Sequence, residues 1–107
     1  MDELTQSEAV VLAALSDRPR YGYELVQRVA ELTDGAVVIR PGNLYRVLHR
    51  LAERRLVTEL PAYGSGEDER RRYFRATVRG RRVAAQQLAM YARVLRRAGG
   101  LREALGQ

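Results

Sequence analysis

Cysteine, tryptophan and lysine are absent from the 107 residues, and histidine and phenylalanine occur once each. Without cysteine the chain has no disulfide, thiol nucleophile or thiolate metal site, and a single histidine excludes a multi-histidine metal site. The carboxylates lie beside arginines or in a glycine-containing loop, so they offer no evident acid and base pair. The composition therefore predicts a protein that is not an enzyme, with no catalytic residue, metal site or cofactor.

Long hydrophobic runs are also missing. No stretch approaches the roughly 18 apolar residues that cross a bilayer. The segment Met1–Gln6 contains Asp2 and Glu3 where a secretion signal would be basic. We expect a cytoplasmic protein without a membrane partner, associated with the nucleoid if it binds DNA. Its length suits one small domain, whose surplus apolar surface a second copy would cover.

The formal net charge is +6, and all 19 basic residues are arginine. A G+C-rich coding sequence can explain arginine in place of lysine, but it does not explain why the arginines cluster. The two clusters are Arg46, Arg50, Arg54 and Arg55, and Arg70, Arg71, Arg72 and Arg75. This balance favours a polyanionic partner, nucleic acid before an anionic membrane surface.

Three helices are predicted in the first half of the chain. The capping box "TQSE" at Thr5 to Glu8 opens the first, which should reach about Leu15 and be buried on nearly every side. The run "YGYELVQRVAEL" predicts the second, which ends near Gly35. After "AVVIR", a β-branched run that predicts a single edge strand, the third helix extends from Pro41 to about Arg55.

A β-hairpin and one long helix are predicted in the second half. The segments "LVTELPAY" and "RRRYFRAT" flank the polar loop "GSGEDE", which indicates a hairpin. The last helix should extend from its N-cap Thr77 to about Ala98, before "GG", and the tail from Leu101 should fray. Three helices followed by a hairpin is the order of a winged helix-turn-helix. We therefore expect a mainly α fold with a small β-hairpin, divided into a DNA-binding domain (residues 1–76) and a dimerisation helix with a short tail (77–107).

The last helix carries a wide apolar stripe over several turns, which exceeds what three short helices need. A homodimer interface would cover it, although core packing within one chain is the alternative. The residues predicted for this interface are Val11, Leu88, Tyr91, Val94 and Leu95. A small-molecule effector, if there is one, would occupy a pocket between the two facing stripes.

Four motifs together resemble the PadR family of bacterial transcriptional regulators. They are "YGYEL" at Tyr21–Leu25, "GNLYRVLHRL" at Gly42–Leu51, "LV" at Leu56–Val57 and "RRYFRATVRG" at Arg71–Gly80. They occur in order over roughly residues 8–95, which is far more specific than any one motif. The short chain with one C-terminal helix is similar to the small subgroup of that family. The resemblance implies a homodimeric repressor that a small molecule releases from DNA.

Four positions differ from the family pattern. Arg46 replaces a proline, Ala76 a leucine, and Asn43 a residue more often serine or threonine. Arg55 replaces the glycine before "LV", where a left-handed backbone suits glycine better than arginine. Asn43 and Arg46 bear on the choice of operator rather than on the fold.

The third helix has the character of a recognition helix. Its N-terminal turn carries the positive end of the helix dipole, and Asn43, Arg46 and Arg50 project from one side. Arginine can contact guanine with two hydrogen bonds, and asparagine can contact adenine in the same way. In a two-fold dimer, two such helices would enter successive major grooves about 34 Å apart on a near-palindromic operator. The alternative is a solvated arginine face.

Three further side chains are candidates for DNA contacts, each with a structural alternative. Tyr45, as the resemblance suggests, would donate its hydroxyl to a phosphate, but it is equally suited to packing. Tyr21 is open to the same two interpretations. His49 is a surface residue or a phosphate contact rather than a metal ligand. Gly22 is interpreted as allowing a close approach at the start of the second helix.

The wing carries Arg70, Arg71 and Arg72 after the acidic segment Glu67 to Glu69. Arg70 and Arg72 are the predicted phosphate contacts, because alternation along a strand sends Arg71 to the opposite face. A salt bridge is the alternative for at least one of them. A competing function for the whole chain is a winged-helix protein-interaction module, whose basic face would meet an acidic protein instead of DNA.

Overall fold

The computed structural model describes residues 3–61 and 71–106. Helices and strands follow in the order α1 (Gln6–Ala14), β1 (Arg20–Tyr21), α2 (Gly22–Leu32), α3 (Pro41–Glu53), β2 (Val57–Leu60), β3 (Tyr73–Ala76), α4 (Val78–Arg97) and α5 (Gly99–Leu105). Three helices followed by a hairpin confirm the predicted winged helix-turn-helix and the mainly α fold class. The predicted third helix is two residues shorter than expected, since it ends at Glu53 with Arg54 as its C-cap.

Local signals in the sequence explain the ends of the first two helices. Thr5 and Glu8 form the predicted capping box of α1, because each side chain accepts a hydrogen bond from the other residue's backbone N–H. At the other end of α1, Arg20 donates to the carbonyl of Ala14 and to Asp17. The turn after α2 contains Gly35, whose φ of 80° is the left-handed geometry expected for a helix stop.

The sheet has three antiparallel strands in the order β1-β3-β2. The predicted hairpin is formed by β2 and β3, with Val57 opposite Ala76 and Leu60 opposite Tyr73. The prediction that "AVVIR" forms an edge strand is wrong. That segment forms no strand, and the free edge of β3 is taken by Arg20–Tyr21 instead. The alternating side chains of "AVVIR" serve packing instead, because Ile39 is buried and Val37 partly buried while Val38 is exposed.

The core lies between α1, α2, α3, the sheet and the first half of α4. Its fully buried large side chains are Val11, Leu12, Leu15, Leu25, Val29, Leu44, Val47, Leu48, Leu51 and Leu56. Val83 and Ala84 of α4 are also buried, so α4 completes this core before its later turns leave it. The long helix therefore has a core-packed half and an exposed half.

The C-terminal segment differs from expectation. Thr77 caps α4 as predicted, accepting a hydrogen bond from the Gly80 N–H at 2.9 Å, and α4 ends at Arg97. The prediction of a fraying tail is wrong, since Gly99–Leu105 forms α5 after a break at Ala98, where ψ is 85°. Leu101 and Leu105 are exposed on this helix. Two consecutive glycines disfavour a helix, but here they form the first residues of α5.

Candidate nucleic-acid interface

Helix α3 presents one apolar and one polar face. Pro41 occupies its first turn, where the missing N–H costs no helical hydrogen bond. Leu44, Val47, Leu48 and Leu51 follow at helical spacing and are at most 1% exposed. Because these four residues fix the rotation of the helix, the polar residues between them are directed outward.

The polar face of α3 has two edges. Asn43, Arg46 and Arg50 share one edge by helical spacing, and the structure describes Arg46 and Arg50 as exposed and Asn43 as partly exposed. A long hydrogen bond of 3.5 Å joins Arg46 Nη2 to Asn43 Oδ1. On the other edge, His49 is 76% exposed and lies 3.8 Å from a carboxylate oxygen of Glu53. The structure thus brings the three predicted base-reading residues together.

Helix α2 approaches α3 closely at Gly22. A Cβ atom at position 22 would lie 2.7 Å from the hydroxyl oxygen of Tyr45, so a larger residue there would displace the end of this side chain. The Tyr45 ring also packs edge-on against Phe74 at a centroid distance of 6.3 Å. Tyr45 is 36% exposed. It therefore packs at the junction of α2, α3 and the sheet while part of it stays accessible.

The arginines of the wing are held by aromatic rings. The Arg71 guanidinium lies 4.4 Å from the ring centroid of Tyr21, which itself meets Tyr73 edge-on. The Arg72 guanidinium lies 5.2 Å from the ring centroid of Tyr45. Arg71 and Arg72 thus contact different rings, as strand alternation predicts. Arg70 and the acidic segment Glu67–Glu69 lie outside the described residues.

Arg72 also forms a two-point ion pair with Glu59 across the hairpin. Its Nε donates to Oε2 at 3.0 Å and its Nη2 donates to Oε1 at 2.9 Å. This hydrogen bonding lowers the pKa of Glu59 below its ordinary value, against a smaller opposing effect of burial, and raises the pKa of Arg72. Arg72 is therefore partly neutralised, which is the alternative the sequence left open for one wing arginine.

Residues 11–86 match the model of the transcriptional regulator PadR-like family. The chain belongs to the PadR-like family. A PadR family transcriptional regulator from Eggerthella lenta is 30% identical over 90% of this chain and 80% of its own, with a TM-score of 0.67. A transcriptional regulator from Clostridium thermocellum is 25% identical over 87% and 89% of the two chains, with a TM-score of 0.68. Bordetella bronchiseptica BpsR shares the fold, at 22% identity over 89% of this chain and 61% of its own, with a TM-score of 0.70.

Family membership confirms the predicted class of protein. The chain is a PadR-like transcriptional regulator and not an enzyme. Among residues 3–61 and 71–106, no group of three or more histidine, cysteine or acidic side chains is placed to hold a metal ion. Over the same residues, no helix has the length and apolar character to span a membrane.

The turn between α3 and β2 of this PadR-like regulator contains a left-handed arginine. Arg55 has a φ of 60°, in the region where the family pattern has glycine. Its carbonyl accepts a hydrogen bond from the Thr77 hydroxyl at 2.8 Å, and the Leu56 carbonyl accepts one from the Thr77 N–H at 3.0 Å. The turn thus docks the start of α4 on the end of α3.

The sequence identified Glu8 only as a capping residue of α1. In the structure, Glu8 also lies close to two arginines at the end of α3. Its carboxylate lies 3.4 Å from Arg54 Nη1 and 3.6 Å from Arg50 Nε. The capping motif is a local signal that the sequence displays directly. An ion pair between residues more than 40 positions apart has no such signal.

The predicted interface residues of α4 are largely exposed in the single chain. Leu88, Tyr91, Val94 and Leu95 are 38–52% exposed. The inclusion of Val11 needs correction, because its side chain is 0% exposed in the core and has no surface for a partner to contact. The exposed stripe begins where α4 leaves the core.

Proposed function

We propose that this PadR-like regulator binds operator DNA in a sequence-specific manner through α3. The observation that carries the proposal is the edge of α3 formed by Asn43, Arg46 and Arg50, which the buried leucines opposite hold outward. Asparagine and arginine are the side chains that pair bidentately with adenine and guanine in the major groove. Tyr21, Tyr45, His49 and the wing arginines would contact phosphates and set the register.

The test is selection of sites from a random-sequence duplex library with the purified protein, followed by sequencing. The proposal expects recovered sites to share one motif of two inverted half-sites, with their centres about one helical turn apart. Recovery of unrelated sequences after several rounds would contradict specific binding. A stable complex with an acidic protein from the same cells, together with that result, would favour the protein-interaction alternative.

We also propose that the regulator acts as a homodimer through the exposed stripe of α4. An exposed run of Leu88, Tyr91, Val94 and Leu95 is a large apolar surface for a 107-residue chain, and burial against its own copy would remove it from water. Sedimentation velocity should give a dimer for the wild type and a monomer for the Tyr91→Glu variant. A monomeric wild type at micromolar concentration would contradict the interface.

Repression and release by a small molecule complete the proposed function. The cell compartment would be the cytoplasm, where the operator lies. The structure of Bordetella bronchiseptica BpsR concerns regulation of its DNA binding by 6-hydroxynicotinic acid. Effector binding between two α4 helices of this chain would change the separation of the two recognition helices. A reporter gene behind the selected operator should fall in expression when the regulator is present, and unchanged or raised expression would contradict repression.

A further inference from the structure

Glu8 is a buried acidic residue that the proposed DNA contacts do not include. Its side chain is only 5% exposed. One oxygen accepts the hydrogen bond of the Thr5 N–H at 2.8 Å, which completes the capping box of α1. Capping alone does not balance a buried charge, which needs opposite charges nearby.

Those opposite charges come from the last turns of α3. Arg54 Nη1 donates to Oε1 of Glu8 at 3.4 Å, and Arg54 Nη2 donates to the Glu3 carbonyl at 3.2 Å. Arg50 approaches the other carboxylate oxygen with its Nε at 3.6 Å. The N-terminus of α1 is thus attached by charge to α3.

The segment that carries Glu8 is fixed at a second point. Leu4 exchanges two hydrogen bonds of 2.8 Å with the side-chain amide of Gln87, one from its N–H and one to its carbonyl. Leu4 is itself buried. Because the segment is fastened to α4 on one side and to α3 on the other, the carboxylate of Glu8 has a defined position.

Arg50 lies between this carboxylate and the exposed edge of α3. Its side chain is 48% exposed, and the approach to Glu8 uses Nε. The proposed contact with DNA would therefore use the two terminal nitrogens. An arginine that is already held in place loses less rotamer freedom on binding, and it can contact fewer alternative bases.

We infer that Glu8 is a positioning residue for operator recognition, whose buried carboxylate holds Arg50 in the orientation that contacts a base. The inference rests on the proposed binding of operator DNA through α3. Glu8 does not touch DNA and acts through Arg50. Its removal therefore weakens binding to the operator more than binding to unrelated DNA.

The test compares Glu8→Gln with Thr5→Ala. Glutamine retains a capping side chain at this position but has no charge, whereas Thr5→Ala removes the other half of the cap and leaves the ion pairs in place. Fluorescence anisotropy would measure the dissociation constants on the selected operator and on a scrambled duplex. We expect Glu8→Gln to reduce the ratio of the two constants at least fivefold, and Thr5→Ala to keep it within twofold.

A merely structural role for Glu8 would give a different pattern. Both variants would then lose affinity in step with their melting temperatures, and the ratio would stay constant, which would overturn the inference. In addition, the double variant Glu8→Gln/Arg50→Ala should have the same ratio as Arg50→Ala alone. If the two substitutions instead reduce the ratio independently, so that the double variant shows the product of the two reductions, Glu8 acts by another route. That result would overturn the inference as well.

Failure of the proposed function is distinguishable from failure of this inference. A wild type that does not prefer its selected DNA contradicts both, whereas a specific wild type with an unchanged Glu8→Gln variant contradicts the inference alone. If Glu8→Gln does not fold, NMR of the wild type tests the inference instead. The Arg50 Nε–H should exchange more slowly with water than the Arg46 Nε–H, and equal exchange rates would overturn the inference.

Discussion

Arg72 and Glu59 are joined by two parallel hydrogen bonds of 2.9 and 3.0 Å at the side of the hairpin that adjoins α3. The same guanidinium lies 5.5 Å from the ring centroid of Phe74, in addition to its contact with Tyr45. Arg72 is therefore oriented before any DNA arrives. A phosphate that approached this arginine would compete with Glu59 for its donors.

Removal of the Glu59 charge should strengthen non-specific DNA binding. In Glu59→Gln the Arg72 guanidinium keeps its charge and is free to pair with a phosphate. We expect a severalfold lower dissociation constant on scrambled DNA, with a salt slope steeper by about one unit. Anisotropy titrations between 50 and 200 mM salt, roughly the range in which such slopes are resolved, would measure it.

The control for that prediction is Glu31→Gln. Glu31 pairs with Arg28 at 3.3 Å on α2, away from the wing, and its loss changes the net charge by the same amount. An effect of equal size in both variants would indicate a general charge effect and contradict the competition between Glu59 and phosphate. Arg72→Ala introduced into Glu59→Gln should abolish the added unit of salt slope, because Arg72 is the residue that the substitution frees.

The same ion pair should make stability depend on pH in the acid range. Because the Arg72 hydrogen bonds lower the pKa of Glu59, the folded state holds this carboxylate deprotonated more strongly than the unfolded state. The stabilisation is complete above the unfolded pKa of about 4.3 and is lost as the pH falls through the lower folded pKa. Both side chains are well exposed, so solvent screening limits its size to about 0.2–1 kcal/mol.

Urea denaturation of the wild type and Glu59→Gln at several pH values would measure this dependence. The difference in free energy of unfolding should be present at pH 7, roughly three units above the unfolded pKa, and should vanish in strong acid. A difference that stays constant over this range would contradict the linkage. Acid unfolding of other parts of the chain affects both proteins equally.

Gly80 should not tolerate a side chain. A Cβ atom there would lie 2.0 Å from the carbonyl oxygen of Leu56, which is backbone and cannot rotate away. Gly80→Ala should therefore separate α4 from the turn after α3 and cost about 1–3 kcal/mol or more, as overpacking does. Urea denaturation measures the loss. Gly100→Ala, where a Cβ meets nothing within 4 Å, is the control and should be neutral or slightly stabilising.

Arg55→Gly should raise stability. Arg55 has a left-handed backbone, which costs an L-residue about 1–2 kcal/mol and costs glycine almost nothing. The extra freedom of glycine in the unfolded chain offsets about 0.5–1 kcal/mol of that gain. We expect a net increase of about 0.5–1 kcal/mol in the free energy of unfolding. A decrease would show that Arg55 makes a compensating interaction through its side chain.

The sequence predicted those parts of the fold that depend on local signals. The capping box at Thr5, Pro41 in the first turn of α3 and the cap at Thr77 each need only a few neighbouring residues, and all three are confirmed. The left-handed turn at position 55 followed from the family pattern. Helical periodicity also identified the polar edge of α3, because the residues opposite are leucine and valine.

Apart from the tail that forms α5, the errors concern contacts between distant segments. The choice between "AVVIR" and Arg20–Tyr21 as the third strand depends on which segment reaches the free edge of β3, and a two-residue strand has no recognisable pattern. Val11 is apolar in an apolar helix, so only the packing of α1 shows that it faces the core. The pairing of Glu8 with Arg50, which lies 42 residues further along the chain, is likewise a product of tertiary structure.

Arg46→Ala should relax base choice at one position in each half-site. Arg46 is exposed on the edge of α3 that also carries Asn43 and Arg50. Its side chain donates a long hydrogen bond to Asn43 Oδ1. The loss of one bidentate base contact costs about 1–3 kcal/mol on the operator and leaves the affinity for scrambled DNA nearly unchanged. Site selection with the variant would show the relaxed position. Equal losses on operator and scrambled DNA would contradict base reading by Arg46.

The most direct test of DNA recognition by α3 is anisotropy of the wild type on the DNA upstream of its own gene and on a scrambled duplex, across a salt series. Specific recognition predicts that the protein binds the upstream DNA at least about a thousandfold more tightly than the scrambled duplex at physiological salt. The selected operator replaces the upstream DNA if the regulator does not control its own gene. Equal, weak binding of the selected operator and the scramble, with the same salt slope, would contradict the account.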